Sequence, residues 1–313
     1  MNHQIKVSII IPTYNRSHLL METLESVQAQ SLQDWECLIV DDGGNDDTEE
    51  EVSKLNKKDN RFKYYKRPLE YPKGASNCRN FGFSLSSGNY IQWLDDDDIL
   101  SKRKLEFQVN ALEQTKNHFI FASCEWDLLW PGKKLELKNC FPGDEMLKEN
   151  FFRVMADRQN FIPSLAYLVS RKLHIAAGNW NTELSINQDA EYFTRILIKS
   201  EKLINVKDCY VLYREHDAGR ISRKRTPENM MSFFLSLELM QSYLKFHNIN
   251  ARSYFRWKLL KWLLAYYSYY PEIMNQYYHL FKENGIDLKW YKFYAFKHRI
   301  YRSVYPVYKQ LKS

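Results

Sequence analysis

Over the first 115 residues, short apolar runs alternate with amphipathic stretches, the pattern of parallel strands joined by crossover helices. Strands are expected over 6–12, Trp35–Asp41, Phe62–Lys66 and 90–94. Val7, Ile9, Ile10 and Ile11 make the first nearly continuous in apolar character, as a central strand covered on both faces requires. Helices fall between the strands, over 17–30, 46–57, 74–87 and 101–115, with Asn45 and Ser101 as caps. From 119 to 180 the period weakens, leaving short strand-like runs at 119–124 and 165–169 and a turn at Pro131-Gly132. A helix is expected over 187–199 and a strand over 209–214. Residues 215–226 have no period and read as a loop, and after Thr226-Pro227 the pattern is helical, broken at Pro271 and Asn284-Gly285. The chain therefore divides into an α/β domain over 1–221 and a helical region over 222–313.

Composition narrows the class. Among 313 residues only 10 are glycine and 9 proline, which removes collagen-like and linker-rich readings. Five cysteines, odd in number and without metal-ligand spacing, suggest neither a disulfide framework nor a zinc site, and a reducing, cytoplasmic compartment fits them. The first apolar run is too short for a signal sequence, and no window approaches the ~18 uninterrupted apolar residues of a membrane span. The net charge is +7, but residues 251–313 hold 12 Lys plus Arg against 3 Asp plus Glu, so the tail is basic and the body slightly acidic.

In open α/β sheets ligands bind beyond the carboxyl ends of the strands, so those ends are the places to look for chemistry. The first strand ends in Pro12-Thr13-Tyr14-Asn15, the second in Asp41-Asp42-Gly43-Gly44 and the fourth in Asp95-Asp96-Asp97-Asp98. Four adjacent carboxylates repel unless a cation intervenes, and all-oxygen donors suit Mg²⁺ or Mn²⁺ bridging to nucleotide phosphates. A solvated acidic loop is the plain alternative. On the later helix, Asp189, Phe193, Ile196 and Leu197 share one stripe, so the Asp189 carboxylate is expected to point inward, whereas Glu191 pairs with Arg195 at i+4.

The ordered segments PTYNR (12–16), LESVQAQS (24–31), WECLIVDDGGNDDT (35–48), GASNCRNFG (74–82), SGNYIQWLDDDD (87–98), INQDAEYFTRIL (186–197) and YREH (213–216) resemble the family 2 glycosyltransferases. The resemblance implies a GT-A fold, a Rossmann-like domain with a mixed central sheet, followed here by the α-helical region. It implies a metal-dependent, inverting transfer from a nucleotide-sugar, most readily a UDP-sugar, to a hydroxyl of a glycan or lipid-linked acceptor, as in bacterial surface polysaccharide synthesis. Pro12, Thr13 and Tyr14 would lie along the uracil, Asp42 would accept its ring N–H, and Arg79 would reach the ribose or phosphates. Asp95 and Asp97 would take the D-x-D places, Asp97 as ligand of Mn²⁺ or Mg²⁺ and Asp95 on the ribose and metal, with Asp96 and Asp98 beside the donor. Asp189 would be the general base, and His216 would complete the metal site or touch the diphosphate. Gly44, Gln188 and Cys78 depart from residues common in the family.

The basic loop residues Arg220, Arg223, Lys224 and Arg225 could close over phosphates, and Trp126, Trp130 and Trp180 could stack on a sugar or sit in the core. In the tail, Tyr294, Tyr301, Tyr305 and Tyr308 share a face opposite Lys292 and Arg299, which would suit either peripheral contact with the inner face of the membrane or packing on the catalytic domain or on a second copy in a homodimer. A dehydrogenase is disfavoured because no G-x-G-x-x-G turn follows the first strand. A nucleotidyltransferase or phosphohydrolase would share the acids, and a non-enzymatic membrane or nucleic-acid binder would share the basic tail. No nucleic-acid motif is present, and no nucleic-acid partner is expected.

Overall fold

A computed structural model describes residues 4–130, 132–215, 226–266 and 270–288. Strands and helices alternate as β1 (Val7–Thr13), α1 (Ser17–Gln28), β2 (Trp35–Asp41), α2 (Thr48–Lys58), β3 (Phe62–Lys66), α3 (Ala75–Leu85) and β4 (Tyr90–Trp93). Then follow β5 (Ile99–Leu100), α4 (Lys104–Thr115), β6 (Ile120–Leu129), β7 (Glu145–Leu147), α5 (Lys148–Asp157), β8 (Val169–Ser170), α6 (Arg171–Ala177), α7 (Gln188–Lys199) and β9 (Lys202–Arg214). The helical part comprises α8 (Pro227–Phe246), α9 (Arg252–Tyr266), α10 (Pro271–Gln276) and α11 (Tyr278–Glu283).

Every residue of β1 and β2 is buried, which is why these strands carry no polar alternation and occupy the middle of the sheet. The order is β3-β2-β1-β4-β8, parallel except for β8. Register sets Thr13 beside Asp41, and three backbone bonds extend it: Asp42 N–H to Thr13 O (2.9 Å), Arg67 N–H to Asp41 O (2.8 Å) and Leu94 N–H to Ile10 O (3.2 Å). The carboxyl ends of four strands are thereby brought to one edge. Gly82 of α3 permits the helix to approach this sheet, since a Cβ there would lie 2.6 Å from Ile10 Cγ2.

A second sheet, β5-β9-β6 with β7 also on β9, stands beside the first. Both β6 and β9 are longer than the sequence pattern suggests. Their parallel pairing jumps from Cys124↔Val206 to Glu125↔Tyr210, so residues 207–209 loop out of the ladder. That polar excursion hides one long strand from a period-2 reading. Helices α5 and α6 were also not expected from the sequence.

The two expected caps are otherwise employed. Asn45 N–H goes to Asn15 Oδ1, and it is Asp46 that accepts from Thr48 N–H (3.2 Å) at the start of α2. Ser101 Oγ accepts Tyr210 N–H (2.9 Å) and joins α4 to β9. Thr226 does cap α8, accepting Asn229 N–H (3.3 Å), with Pro227 as the first helical residue.

The helical region packs onto the α/β body. Ser232 Oγ of α8 accepts Ser185 N–H (2.9 Å), Asn187 Nδ2 donates to Ser236 Oγ (2.7 Å), and Tyr254 of α9 meets Phe152 of α5 edge-on at 5.1 Å. Phe233 and Trp262 stack at 3.8 Å and lock α8 to α9. Among the described residues no helix is long and apolar enough to cross a membrane.

Candidate active site

The β1 edge turns sharply at Asn15, whose φ of 51° lies in the left-handed region that asparagine tolerates. Its Oδ1 accepts Asn45 N–H (2.7 Å) and ties the first loop to the second. Gly44 fits this closure because a Cβ would fall 2.7 Å from Asn15 Oδ1, so a larger residue there would push the two loops apart. Gly44 N–H also donates to Asp41 Oδ1 (2.6 Å). Pro12 is buried, while Tyr14 is 43% exposed with the Lys73 ammonium 3.5 Å from its ring centroid.

Asp42, largely buried, accepts Arg67 Nε (2.5 Å) and Gly74 N–H (3.1 Å) on the same oxygen. Burial and the Asp42 carboxylate together push the Cys78 thiol up, so it stays protonated. Arg67 follows β3, a strand end that carried no obvious motif, and so escaped notice in the sequence.

Beyond β4 the four aspartates divide their tasks. Asp98 is fully buried and accepts Arg214 N–H (2.8 Å), while Arg214 Nε donates to the Asp97 carbonyl (2.7 Å). Asp96 is buried and accepts Thr13 Oγ1 (2.8 Å). Arg16 spans the turn, with Nη1 3.3 Å from Asp96 Oδ1 and 3.0 Å from Asp97 Oδ2. Arg79, 4% exposed, donates Nη2 to Asp95 Oδ1 (2.6 Å) and lies 4.4 Å from the Trp180 ring. Burial, reinforced by Asp97, pushes the Asp96 carboxyl up to about 7, against the pull of Arg16 and Thr13. Burial opposes the Arg16 charge, but Asp96 and Asp97 outweigh it and hold the guanidinium above its ordinary value.

This corner suits a hard divalent cation by its donor chemistry: Asp95 and Asp97 offer carboxylate oxygens, and the Arg16 guanidinium already rests on Asp96 and Asp97 as a stand-in cation. Among the described residues no group of three or more His, Cys, Asp or Glu forms a ready-made metal cluster.

Asp189 differs from the expectation. It lies in the first turn of α7 but is exposed, while Glu191, fully buried, holds Arg195 at 2.6 Å as the spacing predicted. The Asp189 carboxylate borders a cavity of about 270 Å³ lined also by Tyr167, Phe193, Tyr213, Tyr254 and Lys258. Tyr213 immediately precedes Arg214, the residue bonded to Asp97 and Asp98, so β9 contributes to both the cavity and the acidic turn. Lys258 comes from α9, 69 positions along the chain, and no local pattern could have signalled it.

Trp126 and Trp180 are core residues, each 2% exposed, and Trp180 stacks on Tyr192 at 4.2 Å. Neither presents a face to a sugar, whereas Trp130 is exposed. His216, the basic loop from Arg220 to Arg225 and the tail tyrosines 294–308 lie outside the described residues.

Residues 8–162 match the sequence profile of Glycosyl transferase family 2. An uncharacterised glycosyltransferase of Rickettsia felis is 42% identical over 135 residues, 43% of this chain and 21% of that protein. A UDP-Glc:alpha-D-GlcNAc-diphosphoundecaprenol beta-1,3-glucosyltransferase, WfgD of Escherichia coli, is 37% identical over 119 residues, 38% of this chain and 46% of that protein. The chain thus spans from about a fifth to under half of the length of these relatives. In three dimensions S. aureus TarS in complex with UDP-GlcNAc superposes with a TM-score of 0.67 at 17% identity, over 86% of this chain and 75% of that one. The mannosyltransferase PcManGT of Pyrobaculum calidifontis, with GDP-Man and Mn²⁺, gives 0.52 at 15% identity, over 76% and 63%. The structural neighbours share the GT-A fold, and residues 8–162 are similar in sequence to a family 2 glycosyltransferase domain.

Proposed function

We propose, from a family 2 glycosyl transferase domain over residues 8–162 on a GT-A fold, that this protein transfers a sugar from a UDP-sugar to a hydroxyl of a saccharide acceptor with inversion. The observation that carries the reading is the convergence on one sheet edge of Asp42, Arg79 and the 95–98 acidic turn, with Asp189 on a cavity to which β9, the strand that anchors that turn, also contributes. The nucleotide would lie across the ends of β1 and β2, its base along Pro12, Thr13 and Tyr14. Asp42 would take the uracil N–H with the carboxylate lone pairs that Arg67 and Gly74 leave over. Arg79 would turn its remaining donors to ribose or diphosphate.

Asp97 and Asp95 would hold a divalent cation, Mn²⁺ or Mg²⁺, which when bound supplies positive charge to the departing diphosphate. Asp98, anchored by Arg214, keeps the acidic turn fixed beside the donor sugar. Asp189 removes the acceptor's hydroxyl proton as the oxygen attacks the anomeric carbon from the side opposite the diphosphate. General-base help of this kind contributes ~10²–10⁴-fold. The relative's use of a diphosphoundecaprenol-linked sugar favours a lipid-linked acceptor, presented at the inner face of the membrane.

The decisive experiment incubates the full chain with UDP-glucose, UDP-GlcNAc and Mn²⁺, with and without a saccharide diphosphate-lipid, and identifies the products by mass spectrometry. A glycosylated acceptor supports transfer. Donor hydrolysis or nucleotidyl transfer, with no glycosylated product, overturns it in favour of the phosphohydrolase or nucleotidyltransferase alternative.

A further inference from the structure

The cavity that Asp189 borders is lined in part by Tyr254, Lys258 and Trp262 of α9, a segment beyond the matched domain. Its surfaces are aromatic and its charge is concentrated in two groups, the Asp189 carboxylate from α7 and the Lys258 ammonium from α9. Lys258 lies 4.8 Å from the Trp257 ring centroid and 5.5 Å from that of Tyr254, and has no hydrogen bond to any described residue. Asp189 attracts it electrostatically, but without a direct ion pair among the described residues. Lys258 is half-buried in the cavity wall, and burial brings its ammonium down to about 8 against the pull of Asp189.

The wall itself is fixed: Tyr254 abuts Phe152, and Trp262 stacks on Phe233. On the α7 side, Asn187 is held in a left-handed conformation and bonded to Ser236, which positions the first helical turn and Asp189 with it. A preorganised aromatic recess with one unfilled cation and one carboxylate fits a ligand that brings an anion and a hydroxyl on a single sugar-sized body.

We propose that this cavity is the acceptor site and that Lys258 takes the phosphate of a phosphate- or diphosphate-linked saccharide, presenting a sugar hydroxyl to Asp189. The assignment rests on the transferase reading above and deepens it, because it gives the helical region a part in acceptor choice. The phosphate oxygens pair with the Lys258 ammonium in place of solvent, and the rings of Tyr254 and Phe193 line the space for the sugar. Lys258 does not touch the reacting bond, so it governs which acceptor binds.

The test uses the full chain and its Lys258→Gln and Lys258→Arg variants, with thermal unfolding as the check on folding. Two probes carry the same saccharide, one linked to a short-chain prenyl diphosphate and the other to a neutral alkyl group, and inorganic pyrophosphate is a third. Binding is followed by calorimetry and transfer by product formation. The expected result is that wild type prefers the diphosphate probe and that Lys258→Gln raises its Kd and acceptor KM on the order of tenfold, the scale of one charge-assisted hydrogen bond. The donor KM and the neutral probe should be unaffected, and Lys258→Arg should retain the preference. Equal binding of the diphosphate probe by wild type and folded Lys258→Gln overturns the proposal. So does pyrophosphate binding as tightly as the saccharide diphosphate, which would mark a free-anion site. If no sugar is transferred but Lys258-dependent binding of the saccharide diphosphate persists, the transferase reading fails and the subsite stands.

Discussion

Arg79 donates to Asp95 at 2.6 Å, yet its Nε and Nη1 are buried without a hydrogen-bond partner among the described residues. A guanidinium buried with two idle donors is poised for an anionic or polar ligand, since each unmet group carries a desolvation penalty of about 1–3 kcal/mol. Arg79→Met is expected to weaken UDP binding in the presence of Mn²⁺ by roughly 10–100-fold in calorimetry, and Arg79→Lys to recover it only in part, because an ammonium lacks the planar fork. Unchanged UDP affinity in a folded Arg79→Met variant would confine the arginine to clamping Asp95.

Arg16 occupies the place where a cation is wanted. It neutralises Asp96 and Asp97 through one nitrogen, so its removal leaves two neighbouring carboxylates facing each other. Arg16→Ala should lower the melting temperature in EDTA, and added Mn²⁺ should raise it by more than in wild type, because the metal stabilises the native state by mass action. Asp97→Ala should abolish the Mn²⁺ response. Equal Mn²⁺ shifts in wild type and Arg16→Ala would mean that the guanidinium and the metal do not share the site.

Two acids on one helix separate structure from chemistry. Glu191 is buried against Arg195, and breaking such a pair costs about 3–5 kcal/mol. Asp189, exposed at the cavity, makes no comparable pair among the described residues. Asp189→Asn is expected to keep the melting temperature and UDP affinity while lowering transfer ~10²–10⁴-fold. Glu191→Gln is expected to lower stability first. Near wild-type transfer by Asp189→Asn would remove it as the base.

What the sequence made legible depended on how local the cause is. Trp35–Asp41 and Phe62–Lys66 are strands to the residue, because their side-chain pattern follows directly from burial on the sheet. The long strand β9 was half visible, since Lys207 and Asp208 look like a turn and the pairing simply skips them. Asp42, Asp95 and Asp97 stand out as acids after strands, whereas Arg67 and Lys258 matter through contacts made across the fold. Asp189 is more exposed than its stripe suggests for a physical reason: it borders the same cavity as Phe193, but the stripe becomes buried only after the first turn of α7.

His174 offers a test of the fold that does not depend on any ligand. Its ring is fully buried, accepts or donates at 2.7 Å with the Tyr192 hydroxyl, and has the Trp93 and Phe83 rings around it. Burial, with Arg171 and Arg195 adding repulsion, brings its pKa from 6.5 down to about 4. Between those values the unfolded chain binds a proton that the folded chain refuses, so stability falls as pH drops through this window and is unaffected by this group above it. The drop amounts to roughly 3 kcal/mol at about 1.4 kcal/mol per unit. His174→Gln keeps a partner for Tyr192 but cannot titrate. In urea unfolding it should be less stable than wild type at pH 7.5, and that difference should shrink by pH 4.5, because only wild type loses the histidine's share. A stability gap that stays constant from pH 7.5 to 4.5 would show that His174 protonates as readily in the fold as outside it.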